Sequence, residues 1–254
     1  MTTEIRPVTA EFDEYLRDES RRSGSAEQIV FVKDEDDIRE ALKAGLPVTV
    51  QGARTGIAAG AVPSGGLILN LSRMNNVGEI EGDRITVQPG ALLSEIRERL
   101  AGSELFFPPD PTETSASIGG MLACNASGAM SYHYGATRKW VHALRVMLPD
   151  GDIVRVERGQ KADGLAFSLT TEGGREITGT LPKLNMPDVK SAAGYFIKPD
   201  MDLLDLFIGM EGTLGIITEA ELLLRPMPPL RQALCAFFPD EAVSTFSSFT
   251  GPVF

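Results

Sequence analysis

The residues best placed to do chemistry in this chain are glycines rather than acids or bases. Residues 48–62 read VTVQGARTGIAAGAV, in which an apolar, strand-like start (Val48, Val50) stops at Gln51. Gly52, Gly56 and Gly60 then follow among Ala53, Ala58, Ala59 and Ala61. Side chains this small let the backbone approach a ligand, and glycine reaches φ > 0, so that successive N–H groups can converge on an anion. A phosphate or pyrophosphate is the natural guest, although a tight surface turn uses the same residues. Two further small-residue segments add weight to the ligand: SIGGMLACNASGAM at 117–130 and GMEGTLGIIT at 209–218. Three such segments in one chain imply a large ligand touched at several places.

Other chemistries find little support. No GxxxxGK[ST] occurs, which excludes a P-loop, and no GxGxxG follows a strand with an acidic residue about 20 positions on. The two histidines, His133 and His142, have no serine or cysteine elbow beside them and read as structural, with His133 the nearer to the second segment. The two cysteines, Cys124 and Cys235, form neither a disulfide framework nor a metal pattern, and both read as packing residues. No cluster of His, Cys, Asp or Glu has metal-ligand spacing.

The elements that must hold these segments are short. A helix is expected over 10–22 behind Thr9, a strand over 28–32, and a helix over 35–44 capped by Asp34 and stopped by Gly45. Strands over 47–51 and 67–71 flank the first glycine segment. A hairpin is expected over 77–88 around Gly82 and Asp83, then a helix over 91–101. Residues 103–114 carry PPDPT and read as irregular. A short helix over 117–126 begins at the second segment. Hairpins are expected over 141–157, turning at Pro149-Asp150-Gly151, and over 167–180, turning at Gly173-Gly174. A helix over 201–210 and a strand over 216–224 precede the Pro-rich joint PMPP, after which a strand and a helix start again. The class is α+β.

The chain has 254 residues, 43% of them hydrophobic and 23% charged, enough for a substantial core. A net charge of −11 argues against a nucleic-acid backbone as partner. No apolar run approaches the roughly 20 residues of a membrane span. The start, MTTEIRPVTAEFDEYL, has no hydrophobic signal core, so a cytoplasmic location is expected.

Seven segments in order carry a resemblance: QGARTGIAAGA with LILNLSRMNNV, ITVQPGALLSEIRERL, FFPPDP, SIGGMLACNASGAMSYHYGATRKWV, LRVMLPDGDIVRV and FIGMEGTLGIITEAELLLRP. The chain resembles the FAD-binding domain of the vanillyl-alcohol oxidase/p-cresol methylhydroxylase flavoproteins. Within them it is most similar to the D-lactate dehydrogenase and glycolate oxidase FAD-subunit group. The resemblance implies a two-subdomain FAD-binding domain over 1–226, divided near residue 90, with 227–254 the start of a cap domain of which most is absent.

It also implies site residues. Gln51, Gly52, Ala53, Arg54, Thr55, Gly56 and Ile57 match the pyrophosphate loop, with Gln51 where an arginine is common and Ala53 where a third glycine is usual. Thr55 stands near the place of the histidine that links flavin covalently in some members, so FAD is expected to be non-covalent. Pro109 and Asp110 match a stretch passing near the flavin. Ser117, Ile118, Gly119 and Gly120 match a turn holding flavin and pyrophosphate, and Asn125, Ser127 and Gly128 the polar contacts after it. Tyr134, Gly135 and Thr137 match a YGxTR pattern. Glu211, Gly212, Gly215, Ile216 and Ile217 match the segment supporting adenine and ribose.

The implied activity is oxidation of a small 2-hydroxy acid such as D-lactate or glycolate, although no catalytic base is identifiable. The alternative is a non-catalytic FAD-holding subunit whose partner supplies the cap and an electron acceptor. A sugar-nucleotide reductase on the same fold fits the second and third segments less well. An electron-transfer partner, self-association, and attachment to the inner membrane through a partner are compatible with both main readings.

Overall fold

A computed structural model describes residues 4–189, 191–192 and 194–229. The strand and helix expected after residue 230, with Cys235, lie outside these.

The first part of the chain runs through β1 (Arg6–Pro7), a 3-10 helix (Ala10–Leu16), β2 (Gln28–Phe31), α1 (Glu35–Leu42), β3 (Val48–Gln51) and β4 (Leu67–Asn70). These strands form one sheet in the order β1-β2-β4-β3, with β2 and β3 both parallel to β4. Buried on both faces, β4 carries the continuous apolar run Leu67-Ile68-Leu69. The Asp34 carboxylate accepts the Asp37 N–H at 2.9 Å, and Gly45 at φ 64° ends the first turn beyond α1. Ile38 and Ala41 of α1 pack on Val30, Leu67 and Leu69, while Phe12 covers Ile29 and Ile68 on the opposite face. Each buried Val, Ile, Leu or Phe side chain among these stabilises the sheet by about 1.5–3 kcal/mol. Because β3 and β4 are parallel neighbours, the chain between them must travel back along the sheet, and the glycine segment is that return.

The second part comprises β5 (Val77–Glu81), β6 (Arg84–Val87), α2 (Leu93–Leu100), β7 (Leu105–Phe106), α3 (Ile118–Ala123) and α4 (Ser131–Tyr134). A 3-10 turn (Thr137–Trp140), β8 (Val141–Met147), β9 (Ile153–Glu157), β10 (Ala166–Thr170) and β11 (Glu176–Thr180) follow. The chain continues through α5 (Leu204–Phe207), β12 (Ile216–Leu223) and β13 (Arg225–Pro226). An antiparallel sheet runs β5-β6-β12-β8-β9, with β12 in the middle although it comes late in the chain. Against it pack Leu93 and Ile96 of α2 and Ile118, Met121 and Leu122 of α3. The hairpin from Val77 belongs to this sheet, whereas β4, ending at Asn70, belongs to the first.

Three expectations are corrected. The first helix is only a 3-10 segment ending at Leu16, because the Asp18 carboxylate takes the Ser20 N–H and Arg21 turns to φ 64°. Residues 103–114 are not wholly irregular, since Leu105–Phe106 pairs with Arg225–Pro226. The helix over 201–210 shrinks to Leu204–Phe207, because Arg138 takes the carbonyls of Asp205 and Ile208 and the Gly209 N–H turns to Leu122 O.

The two sheets meet where Met147, Ile153 and Ile216 join the α1-side core. An ion network crosses the same seam. Glu35 of α1 receives Arg145 of β8 at 3.1 Å and the Thr218 hydroxyl of β12 at 2.7 Å, while Arg145 also pairs with Glu172. Burial opposes ionisation of Glu35, but the bonds from Arg145 and Thr218 outweigh it and hold the carboxyl below its ordinary range.

Candidate cofactor cleft

All three small-residue segments open onto one cleft of about 440 Å³ between the sheets, within the range usual for ligand sites. The first segment supplies Gly52 to Ala58, the second Ser117, Gly119, Gly120 and Ser127, and the third Glu211, Gly212, Gly215, Ile216 and Ile217. The first two are in contact: Ser117 Oγ accepts the Ala53 N–H at 3.2 Å, and a Cβ on Gly52 would collide with that hydroxyl. Gly119 N–H donates to Pro89 O, fixing α3 to the end of β6. The Glu211 N–H donates to Ala123 O at 3.0 Å and joins the third segment to the second.

The first loop has the geometry of an anion cradle. Arg54 (φ 59°) and Ala59 (φ 64°) sit in the left-handed region, a conformation that turns neighbouring N–H groups to one side. Among the described residues, none accepts the N–H groups of Arg54, Thr55, Gly56, Ile57 or Ala58. A Cβ on Gly56 would meet nothing within 4 Å, since that residue faces the open cleft. The Arg54 guanidinium stands at the same wall, over the Tyr15 ring at 4.1 Å and 3.2 Å from Glu14. A diphosphate fits this cradle, and the largely apolar remainder of the cleft suits flat rings.

Several expected residues support the wall without facing the cleft. Gln51 is fully buried beneath the loop, its Nε2 donating to Tyr15 O and Ala61 O at 2.7 Å each, so it ties the two ends of the loop together. Ile118 is buried in the core with its N–H on Ala91 O. Asn125 takes the Arg138 N–H on Oδ1, and Thr137 is wholly buried with its hydroxyl on Ala126 O at 2.7 Å. Gly128 is pressed against the carbonyl of Asp110, whose carboxylate pairs with Arg97 behind the buried Pro109. Tyr134 stacks edge-on with Phe106 and Trp140, and Gly135 takes φ 81° after it.

The cleft also has members outside the three segments: Leu71, Pro89 and Ala116 line it, brought there by strand pairing and packing. Cys124, expected to be buried in the core, is instead exposed to the cleft, because α3 ends at Ala123 and the next residue turns outward. The semi-enclosed setting and the Glu211 charge raise its thiol pKa. Among the described residues His133 and His142 lie off the cleft wall, and no cluster could hold a metal.

Two sheets around a cleft lined by glycine-rich backbone form an arrangement suited to a nucleotide cofactor. The chain belongs to the FAD-binding domain family, whose model matches residues 26–157, and FAD is its cofactor. It is 36% identical over 186 residues to D-lactate dehydrogenase of Anaerostipes hadrus, covering 72% of this chain and 32% of that one. It is 34% identical to glycolate oxidase subunit GlcD of Bacillus subtilis (80% and 37%), and 31% identical to D-2-hydroxyglutarate dehydrogenase of Xanthomonas citri (96% and 47%). The chain thus spans about a third to a half of the length of these relatives. Among solved structures, alkyldihydroxyacetonephosphate synthase superposes with a TM-score of 0.56 at 20% identity, over 81% of this chain and 33% of that one, which shows the shared fold.

Proposed function

We propose that this chain holds FAD non-covalently for the oxidation of a small 2-hydroxy acid, of the D-lactate or glycolate type. The observation that carries the reading is the convergence of three separate small-residue segments on one cleft. In this assignment the N–H groups of residues 54–58 and the Arg54 charge hold the diphosphate, and Ser117 and Gly120 border it. Glu211 and Gly212, with Ile216 and Ile217, take the nucleoside end, where a carboxylate suits sugar hydroxyls and would repel phosphate. Bound there, FAD supplies the hydride acceptor for the substrate carbon. The apolar wall excludes water from the rings. Three relatives bear the names of 2-hydroxy-acid enzymes, which supports the substrate class.

One observation favours a second reading, a cofactor-holding subunit whose partner provides the proton-accepting base and the electron acceptor. Among the described residues no histidine lines the cleft. The absorbance of the purified chain between about 300 and 550 nm, before and after acid precipitation, tests the cofactor assignment. Flavin colour that leaves with the supernatant as FAD is the expected result, and a colourless chain that takes up no FAD would overturn it. Dye reduction with D-lactate, glycolate and D-2-hydroxyglutarate then separates the two readings. Turnover by the chain alone supports the first, and turnover only after a second chain is added supports the other.

A further inference from the structure

Arg138 touches no part of the cleft, yet it is bonded to the second of the segments that form it and to Ile208, the residue immediately before the third. Its backbone N–H donates to Asn125 Oδ1 at 3.0 Å, where the second segment leaves α3 with Asn125 at φ 47°. Its guanidinium, largely buried, donates to the carbonyls of Asp205 and Ile208 and lies over the Phe196 ring at 4.5 Å. A Cβ on Gly209 would come within 3.4 Å of Nη2, so the approach to the third segment runs directly against it. From these anchor points Gly209 N–H reaches Leu122 O at 2.9 Å and Glu211 N–H reaches Ala123 O at 3.0 Å. Ala123, Met210 and Glu211 then line the cleft. Breaking up the end of α5 leaves the Ile208 carbonyl without a helical partner, and a planar two-pronged donor satisfies this geometry in a way that a lysine ammonium cannot.

We infer that Arg138 is a positioning residue that locks the second and third segments into cofactor-binding register, acting through Asn125 and Ile208. This rests on the assignment of the cleft to FAD. The test uses the full chain with Arg138→Lys, Asn125→Gly and the double variant, and measures FAD affinity and the circular dichroism of bound flavin at saturation. Glycine at 125 keeps the left-handed backbone and removes the side chain that takes the Arg138 N–H. Leu169→Ala, in the core but away from the cleft, serves as a control for stability loss alone. Each single variant is expected to bind FAD roughly tenfold more weakly and to shift the flavin signal, and the double variant to be clearly less than additive. Leu169→Ala is expected to bind FAD normally while folded. Unchanged affinity in Arg138→Lys, or an equal loss in Leu169→Ala, overturns the inference. Wild-type chain that binds no FAD strikes the cleft assignment itself, which is a separable outcome.

Discussion

Gly56 and Gly119 look alike in the sequence but are glycine for different reasons. At Gly56 an added side chain would project into the open cleft, whereas a Cβ at Gly119 would sit 2.7 Å from Pro89 Cβ. Gly56→Trp is therefore expected to abolish flavin uptake while leaving the melting temperature near wild type. Gly119→Ala should lower stability, by about 1–3 kcal/mol of overpacking, before it affects the ligand. Flavin content and thermal melts of the two variants check this together, and a Gly56→Trp chain that purifies yellow would contradict it. Cys124 offers a second probe. With its thiol pKa raised, alkylation at neutral pH should be slower than for a free thiol, and bound FAD should block it. Iodoacetamide kinetics in a Cys235→Ser background, with and without FAD, measure both effects.

At the scale of elements, Gln51 shows how a strand end governs a loop. One buried carboxamide bonds Tyr15 O and Ala61 O, so the 3-10 helix, the end of β3 and the far end of the first loop share a single anchor. Gln51→Leu leaves the part-buried carbonyls of Tyr15 and Ala61 without this donor, at a total of about 1–3 kcal/mol. FAD affinity should fall with that stability, read by titration and by denaturant unfolding. The helix–sheet pairing behind it is robust: Ile38→Ala should cost about 2–5 kcal/mol without touching the cleft.

For the whole molecule, the seam between the sheets is where pH acts. Glu35 has its folded pKa below the ordinary value of 4.5, so its stabilisation is fully present above that pH and is lost as pH falls through the folded value. Wild type is expected to lose stability below about pH 4.5 more steeply than Glu35→Gln, which should be less stable at neutral pH. Urea midpoints between pH 3 and 7 decide it, and parallel curves for the two would assign the acid sensitivity elsewhere. The net charge of −11 adds a further expectation, that the chain shifts no DNA in a gel at physiological salt.

Much of this was legible in the chain itself. Glycine spacing marked the three segments that line the cleft, the run LILNL marked a short strand, and PDG marked the β8–β9 turn. These signals are local, since they depend on backbone freedom and on which side chains avoid water. What only the tertiary structure decided is which side of each segment faces the cleft. Gln51, Asn125 and Thr137 carry polar groups in cofactor-like positions, yet strand pairing and burial turn them to the backbone behind the wall. Cys124 turns into the cleft because α3 ends one residue before it. That β12, from late in the chain, lies between β6 and β8 was likewise invisible, because strand order is set by long-range packing that no local pattern encodes.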